Sequence, residues 1–109
     1  MSQQTNQSRQ VNQPTTPQSA GARYPEDSTM IYATKLSLKE NKPIHLTYWL
    51  DSLNNKVVIY QDKKSNERVI YKDKEEYTSP IVQKYNNKGD CICCTENSIY
   101  IVAENIKSM

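Results

Sequence analysis

The sequence predicts a small all-β domain attached to a disordered N-terminal tail. Residues 1–28 contain six Gln and few large apolar side chains, whereas nearly all the Ile, Val, Leu and Tyr residues follow them. Beyond residue 28, apolar and polar residues alternate in short runs, which is the period of a β-strand. Polar turns separate these runs every 8–14 residues, a spacing typical of a β-meander, sandwich or barrel.

This change in composition divides the chain into three segments. They are a Gln/Ser/Thr/Pro-rich tail at residues 1–28, an all-β domain at residues 29–105, and a short C-terminal end at residues 106–109. The tail cannot bury enough apolar surface to offset the entropy lost on ordering, so we expect it to be disordered. It would serve either as a bare linker or as a tether that orders on a partner.

Alternation places the first strand at residues 30–38, and a polar turn at residues 40–43 leads to the second strand at residues 44–50. Asn54 and Asn55 then form a candidate hairpin turn, because Asn tolerates positive φ better than most residues. Five further strands are expected at residues 56–61, 67–72, 81–85, 90–95 and 99–103.

The later strands carry apolar residues on both faces, as Val57 and Ile59 do opposite Val58 and Tyr60. An open single sheet would leave one of these faces in water. The sequence therefore favours a six- or seven-stranded antiparallel barrel or roll, whose outer face is partly covered by another element or a partner. A two-sheet sandwich is the alternative.

Charge and hydropathy exclude several classes of function. A net charge of +2 argues against a duplex-DNA binder and against a polybasic membrane anchor. No apolar run approaches the roughly 20 residues that cross a bilayer, and the N-terminus lacks the pattern of a signal peptide. We therefore expect an intracellular, cytoplasmic protein with no membrane partner and no small-molecule substrate.

Cysteine and histidine supply the candidates for chemistry. Cys91, Cys93 and Cys94 form a C-x-C-C run in a predicted strand, where the first two share one face and Cys94 lies on the other. A zinc site needs four convergent ligands, so His45 would have to lie beside this strand. We expect buried apolar cysteines instead, with a reactive thiol as the alternative. No metal, cofactor or catalytic residue is predicted, and the chain is not expected to be an enzyme.

Aromatic residues give the strongest indication of function. Alternation places Trp49 opposite the apolar positions of its strand, on an outer face, unless the tail or a loop covers it. Tyrosines of the later strands lie close to lysines in the sequence. Exposed Trp and Tyr side chains are favoured at protein interfaces. The predicted partner-binding residues are Trp49, Tyr60, Tyr71 and Tyr77.

The predicted function is that of a non-enzymatic protein-binding or structural module, which binds a protein partner or a second copy of itself. The alternative is a small β-barrel that binds single-stranded nucleic acid, since aromatic residues interleaved with lysines can stack bases and follow phosphates. Four acidic residues among those lysines reduce the local positive field: Glu67, Asp73, Glu75 and Glu76.

Two sequence blocks, EYTSPI at residues 76–81 and TENSIYIV at residues 95–102, resemble those of small β proteins of large nucleocytoplasmic DNA viruses. Pro43-Ile44 and Tyr48-Trp49 extend the resemblance, which covers residues 43–103. An abundance of Asn, Lys, Ile and Tyr, whose codons are rich in A and T, agrees with this setting. The resemblance implies a viral assembly component, located in a host cell or in a virion, and assigns no site residues.

Overall fold

The structure is a computed structural model, and it describes residues 23–109. This part of the chain contains two helices, α1 (Asp27–Glu40) and α2 (Trp49–Leu53). Its strands are β1 (Ile44–His45), β2 (Val58–Gln61), β3 (Arg68–Asp73), β4 (Glu76–Tyr77), β5 (Ile81–Asn87), β6 (Asp90–Thr95) and β7 (Ile99–Ala103). The predicted all-β fold is confirmed in part: the protein is mostly β, but it also contains these two helices.

The strands form two sheets. The larger has the order β1-β7-β6-β5, in which β1 runs parallel to β7 and the other neighbours are antiparallel. The smaller is antiparallel with the order β2-β3-β4, and the C-terminal residues pair with its free edge: the Ile59 N–H donates to the Lys107 carbonyl at 2.8 Å. The two sheets are not closed into a barrel.

The four-stranded sheet is the central layer, and both of its faces are covered. The first core lies between this sheet and α1 and contains Ala33, Leu36, Trp49, Ile92, Cys94, Ile99 and Ile101. The second core lies between the two sheets and contains Tyr48, Val57, Ile59, Ile70, Ile81, Cys91, Cys93, Val102 and Ile106. This arrangement accounts for apolar residues on both faces of β6 and β7, since each face contacts a different layer.

The predicted first strand at residues 30–38 is wrong, because this segment lies within helix α1. Thr29, Ala33 and Leu36 are buried at the spacing of one helical face. Ile31 and Leu38 are exposed, which weakens the helical stripe and leaves a pattern that also fits alternation. Asn41 ends the helix in the left-handed conformation with a φ of 56°.

The predicted second strand at residues 44–50 is also wrong beyond its first two residues. Helix α2 follows β1, and the adjacent side chains of Tyr48 and Trp49 enter different cores. Ser52 faces β7, where its Oγ accepts a hydrogen bond from the Ala103 N–H at 2.8 Å. The five later strands are confirmed to within two residues at each end, and the short strand β4 was not predicted.

The described fold extends beyond both predicted domain boundaries. The expected boundary after residue 28 falls within α1, and Ile106 of the C-terminal end is buried in the second core. Most of the predicted disordered tail, residues 1–22, lies outside the described residues. No helix in the described part of the chain is long and apolar enough to cross a membrane.

Candidate functional site

The outer face of the three-stranded sheet carries a row of three tyrosines. Ile59 and Ile70 point into the second core, so alternation directs Tyr60 and Tyr71 outward. Tyr77 lies directly opposite Tyr71 across the β3–β4 pair. We call Tyr60, Tyr71 and Tyr77 the tyrosine row.

The rings of the tyrosine row lie close enough to act as one surface. The ring centroids of Tyr60 and Tyr71 are 5.6 Å apart, and those of Tyr71 and Tyr77 are 6.3 Å apart with planes inclined by only 17°. Tyr60 is 39% exposed and Tyr77 is 59% exposed, while Tyr71 between them is half-buried. Two partly open rings thus flank a better-packed central ring.

A shallow groove of about 380 Å³ runs along the row. A second groove of about 590 Å³ shares Tyr60 and reaches Met109. The first groove has apolar, acidic and basic groups in its wall: Tyr60, Asp62, Ser65, Glu67, Val69, Tyr71, Lys74 and Tyr77. The surface therefore offers flat aromatic faces together with charges of both signs.

Local hydrogen bonds hold the ends of the row in place. Near Tyr60, the Asp62 carboxylate accepts bonds from the Ser65 hydroxyl at 2.8 Å and from the Ser65 N–H at 3.0 Å. These bonds lower the pKa of Asp62, so the groove wall keeps its negative charge at neutral pH.

At the other end of the row, the Tyr48 hydroxyl donates to the Glu76 carboxylate at 2.8 Å. This bond ties the short strand β4 to the second core, because the Tyr48 ring lies in that core. The Thr78 N–H also donates to the Ile70 carbonyl at 3.0 Å. Tyr77 therefore stands on a strand that is fixed at both of its ends.

The structure brings together three of the four predicted partner-binding residues and separates the fourth from them. Trp49 is only 5% exposed and lies in the first core, so the prediction that it binds a partner from an outer face is wrong. Its indole N–H donates to the Arg23 carbonyl at 2.8 Å, and the Arg23 guanidinium lies 4.9 Å from the ring centroid. The segment at Arg23 thus covers Trp49, which confirms the other interpretation of this residue, cover by the tail or a loop.

Sequence reasoning missed a buried carboxylate, Asp90. Its oxygens accept hydrogen bonds from Arg23 Nη1 at 2.7 Å, the Glu26 N–H at 2.8 Å and the Thr29 hydroxyl at 2.7 Å. Burial alone would raise the pKa of Asp90, but these three bonds and the Arg23 charge outweigh it and lower the pKa. The sequence does not reveal these bonds, because the partners lie more than 60 residues away along the chain. The one sequence feature that indicates a buried carboxylate is an acidic residue at the start of an apolar strand.

The cysteines lie as the strand pattern predicted. Cys91 and Cys93 face the second core and Cys94 faces the first, all three buried and reduced. The Cys91 and Cys93 sulfurs are 3.7 Å apart, and the hydrogen bond between them, together with burial, raises the pKa of the Cys93 thiol. These thiols are packing groups within the core.

His45 does not join the cysteines in a common site. Its ring lies 5.3 Å from that of Tyr100, and Tyr100 of β7 stands between His45 and Cys93 in the sheet register. Among residues 23–109, no group of three or more His, Cys, Asp or Glu side chains is placed to hold a metal ion.

No family model, curated protein or solved structure matches this chain. The resemblance to viral β proteins, and the setting that it implies, therefore remain predictions.

Proposed function

We propose that this protein is a non-enzymatic protein-binding module whose contact surface is the tyrosine row. The observation that carries the proposal is the alignment of three tyrosine rings on the outer face of a sheet whose inner face already supplies the core. The viral assembly role implied by the sequence resemblance belongs to the same proposal.

Energetics favour a partner at this surface. Tyr60 and Tyr77 still expose 39% and 59% of their area, so a partner that covers the row would remove apolar surface from water. Tyrosine is also rigid, which keeps the entropy cost of binding low, and it is enriched at interface hot spots. The phenolic hydroxyls and the adjoining carboxylates of Asp62 and Glu67 would give the contact a polar rim.

Site-specific photo-crosslinking tests the proposal. p-Benzoylphenylalanine placed at Tyr77 should yield a discrete protein adduct after irradiation in the native cell extract. The same probe at Tyr24, which is 84% exposed and lies outside the row, is the matched control. A Tyr77 adduct that Tyr24 does not give supports the proposal, and equal labelling or no adduct from Tyr77 contradicts it.

Single-stranded nucleic acid is the second candidate partner. The near-parallel rings of Tyr71 and Tyr77, with Lys74 in the same groove, favour it, because bases stack on such faces while a cation contacts phosphate. Asp62 and Glu67 in the groove wall oppose it. Affinity for a labelled oligonucleotide that falls steeply with salt and depends on Tyr77 would favour this candidate. Absence of binding at low salt would eliminate it.

A further inference from the structure

The two sheets have four edges between them, and three of these are short or paired. Strands β1 and β4 contain two residues each, and the free edge of β2 pairs with the C-terminal residues, where the Met109 N–H donates to the Ile59 carbonyl at 2.8 Å. The fourth edge is β5, the longest strand of the described chain, with seven residues. No backbone group of residues 23–109 pairs with the outer edge of β5. An edge of this length is a template for a further strand.

The turn between β5 and β6 determines which backbone groups point to this outer edge. It consists of Lys88 and Gly89, whose φ angles of 51° and 89° match a two-residue type I′ turn. In such a hairpin the two residues that flank the turn exchange backbone hydrogen bonds, and bonded pairs then alternate along the ladder. The N–H and C=O groups of Lys84 and Asn86 therefore point away from β6.

The ladder on the other side of β6 agrees with this assignment. Asp90 lies opposite Ala103 in the β6–β7 pair, but the Ala103 N–H donates to the Ser52 Oγ instead of to β6. Asp90 and Ala103 are therefore a non-hydrogen-bonded pair, so the backbone groups of Asp90 point to β5. The same alternation again leaves Lys84 and Asn86 with their backbone groups on the outer edge.

We propose that the outer edge of β5 pairs with β5 of a second copy of this chain, antiparallel about a two-fold axis. The two four-stranded central sheets would then join into one sheet of eight strands. This edge is separate from the tyrosine row, so the proposal goes beyond the function proposed above and does not depend on it.

Charge and backbone pairing together select one register for the two copies. With Lys84 opposite the second copy's Asn86, and Asn86 opposite the second copy's Lys84, the two pairs exchange four backbone hydrogen bonds. A shift by two residues in one direction would place Lys84 opposite the second copy's Lys84. A shift in the other direction would place it opposite the second copy's Lys88. Like charges directly opposite each other are destabilising, so both shifted registers are disfavoured.

Aromatic residues at the centre of this register make the contact self-complementary. Tyr85 would lie on the two-fold axis, directly opposite the second copy's Tyr85, and cross-strand aromatic pairs of this kind stabilise a sheet. The Tyr85 ring packs edge-on against Tyr32 of α1, with centroids 5.3 Å apart. Tyr32 is 41% exposed, so two tyrosines from each copy can meet at the axis.

Two further features of β5 limit the pairing to a closed dimer. The register of the β5–β6 pair shifts between Ile81 and Gln83, and such an irregularity interrupts pairing at the start of the strand. Lys84 discourages the other registers, as lysines on edge strands do in general. The far edge of each joined sheet is β1, which has only two residues. The assembly therefore ends at two copies and does not extend into a fibre.

Sedimentation of full-length chains over a range of concentrations tests the proposal. The wild type should show a monomer–dimer equilibrium. Asn86→Pro removes an outward N–H from each copy, and hence two of the four new bonds, without removing a bond of the hairpin. It should weaken dimerisation about 30-fold. Asn86→Ala keeps the N–H at the same exposed position and is the matched control, with an expected change of less than about threefold.

Disulfide trapping tests the register. Gln83 would lie opposite the second copy's Asn87, so a mixture of Gln83→Cys and Asn87→Cys chains should give a disulfide-linked dimer with oxidised glutathione. Either chain alone should give none, because its two new cysteines would lie four residues apart along the strands, about 13 Å. The three native cysteines are buried and leave the new thiols as the accessible ones.

A wild-type chain that stays monomeric as its concentration is raised would overturn the proposal. Equal dimerisation of Asn86→Pro and wild type would do the same, as would a mixture that crosslinks no better than its separate components. If Asn86→Pro does not fold, the disulfide experiment decides, because it keeps every backbone N–H of β5. None of these results bears on the tyrosine row, which the Tyr77 photo-adduct tests separately.

Discussion

Among single residues, Asp90 and its partners connect the start of α1 to the central sheet. The Asp90 carboxylate accepts bonds from the Glu26 N–H and the Thr29 hydroxyl, so it satisfies groups in the first turn of a helix that has no side-chain cap of its own. Its third bond, from Arg23, holds the segment that covers Trp49. The buried carboxylate of Asp90 therefore fixes the segment that covers the first core.

Asp90→Asn should destabilise the protein by about 2–3 kcal/mol, because it removes a buried charge that accepts three hydrogen bonds and leaves Arg23 without its ion-pair partner. Urea unfolding would measure this loss. Glu96→Gln, at an exposed position on the neighbouring turn, is the control and should change the stability little. A loss below about 0.5 kcal/mol for Asp90→Asn would refute this role.

Acid should weaken the fold through the same residue. Because the pKa of Asp90 is lower in the folded than in the unfolded state, its stabilisation is present above the unfolded value of about 3.9. It is lost as the pH falls from there through the folded pKa. The free energy of unfolding of the wild type should decline over this window, and that of Asp90→Asn should decline less. Equal declines would contradict the assignment.

Among the elements, the strands were predictable and α1 was not. A strand buried on both faces, such as β6 or β7, combines a continuous apolar run with flanking turn residues. The sequence therefore predicts the first and last residues of both strands correctly. Helix α1 buries Ala33 and Leu36 but exposes Ile31 and Leu38, so its apolar residues do not form one stripe. Asn41 followed by Pro43 is a helix stop signal, but the same residues also fit a turn between two strands.

The candidate site was predictable only in part. The sequence identifies its members as tyrosines near lysines. The alignment of Tyr60 with Tyr71, however, depends on the β2–β3 register, and the position of Tyr77 beside Tyr71 depends on strand β4, which was not predicted. Trp49 was misplaced because its helix was interpreted as a strand. Register and helix formation here follow from tertiary packing, which local alternation does not encode.

Substitution in α1 tests how this helix packs. Ala33 is fully buried against the central sheet, so Ala33→Leu should overpack the first core and destabilise the protein by about 1–3 kcal/mol. Lys35→Leu, at an exposed position of the same helix, should alter the stability by less than about 0.5 kcal/mol. Thermal or urea unfolding distinguishes the two, and equal effects would contradict the observed helix orientation.

For the whole molecule, three layers explain where a partner can bind. The central sheet is covered on one face by α1 and on the other by the smaller sheet. The second apolar face, for which the sequence predicts cover by another element or a partner, is therefore covered by the chain itself. The outer face of the smaller sheet carries the tyrosine row and is not needed to complete either core. Because these aromatic residues contribute little to the stability of the fold, they are available to contact a partner.

The most direct test of this account uses the Tyr77→Ala variant and the protein that photo-crosslinking at Tyr77 identifies. Titration calorimetry would measure the affinity between the two, and urea unfolding would measure the free energy of unfolding of the variant. Tyr77→Ala should weaken binding about 30-fold while leaving the stability within about 0.5 kcal/mol of wild type, and Tyr24→Ala should change neither. Unchanged affinity, or a loss that merely follows unfolding, would contradict the claim that the tyrosine row is the binding surface.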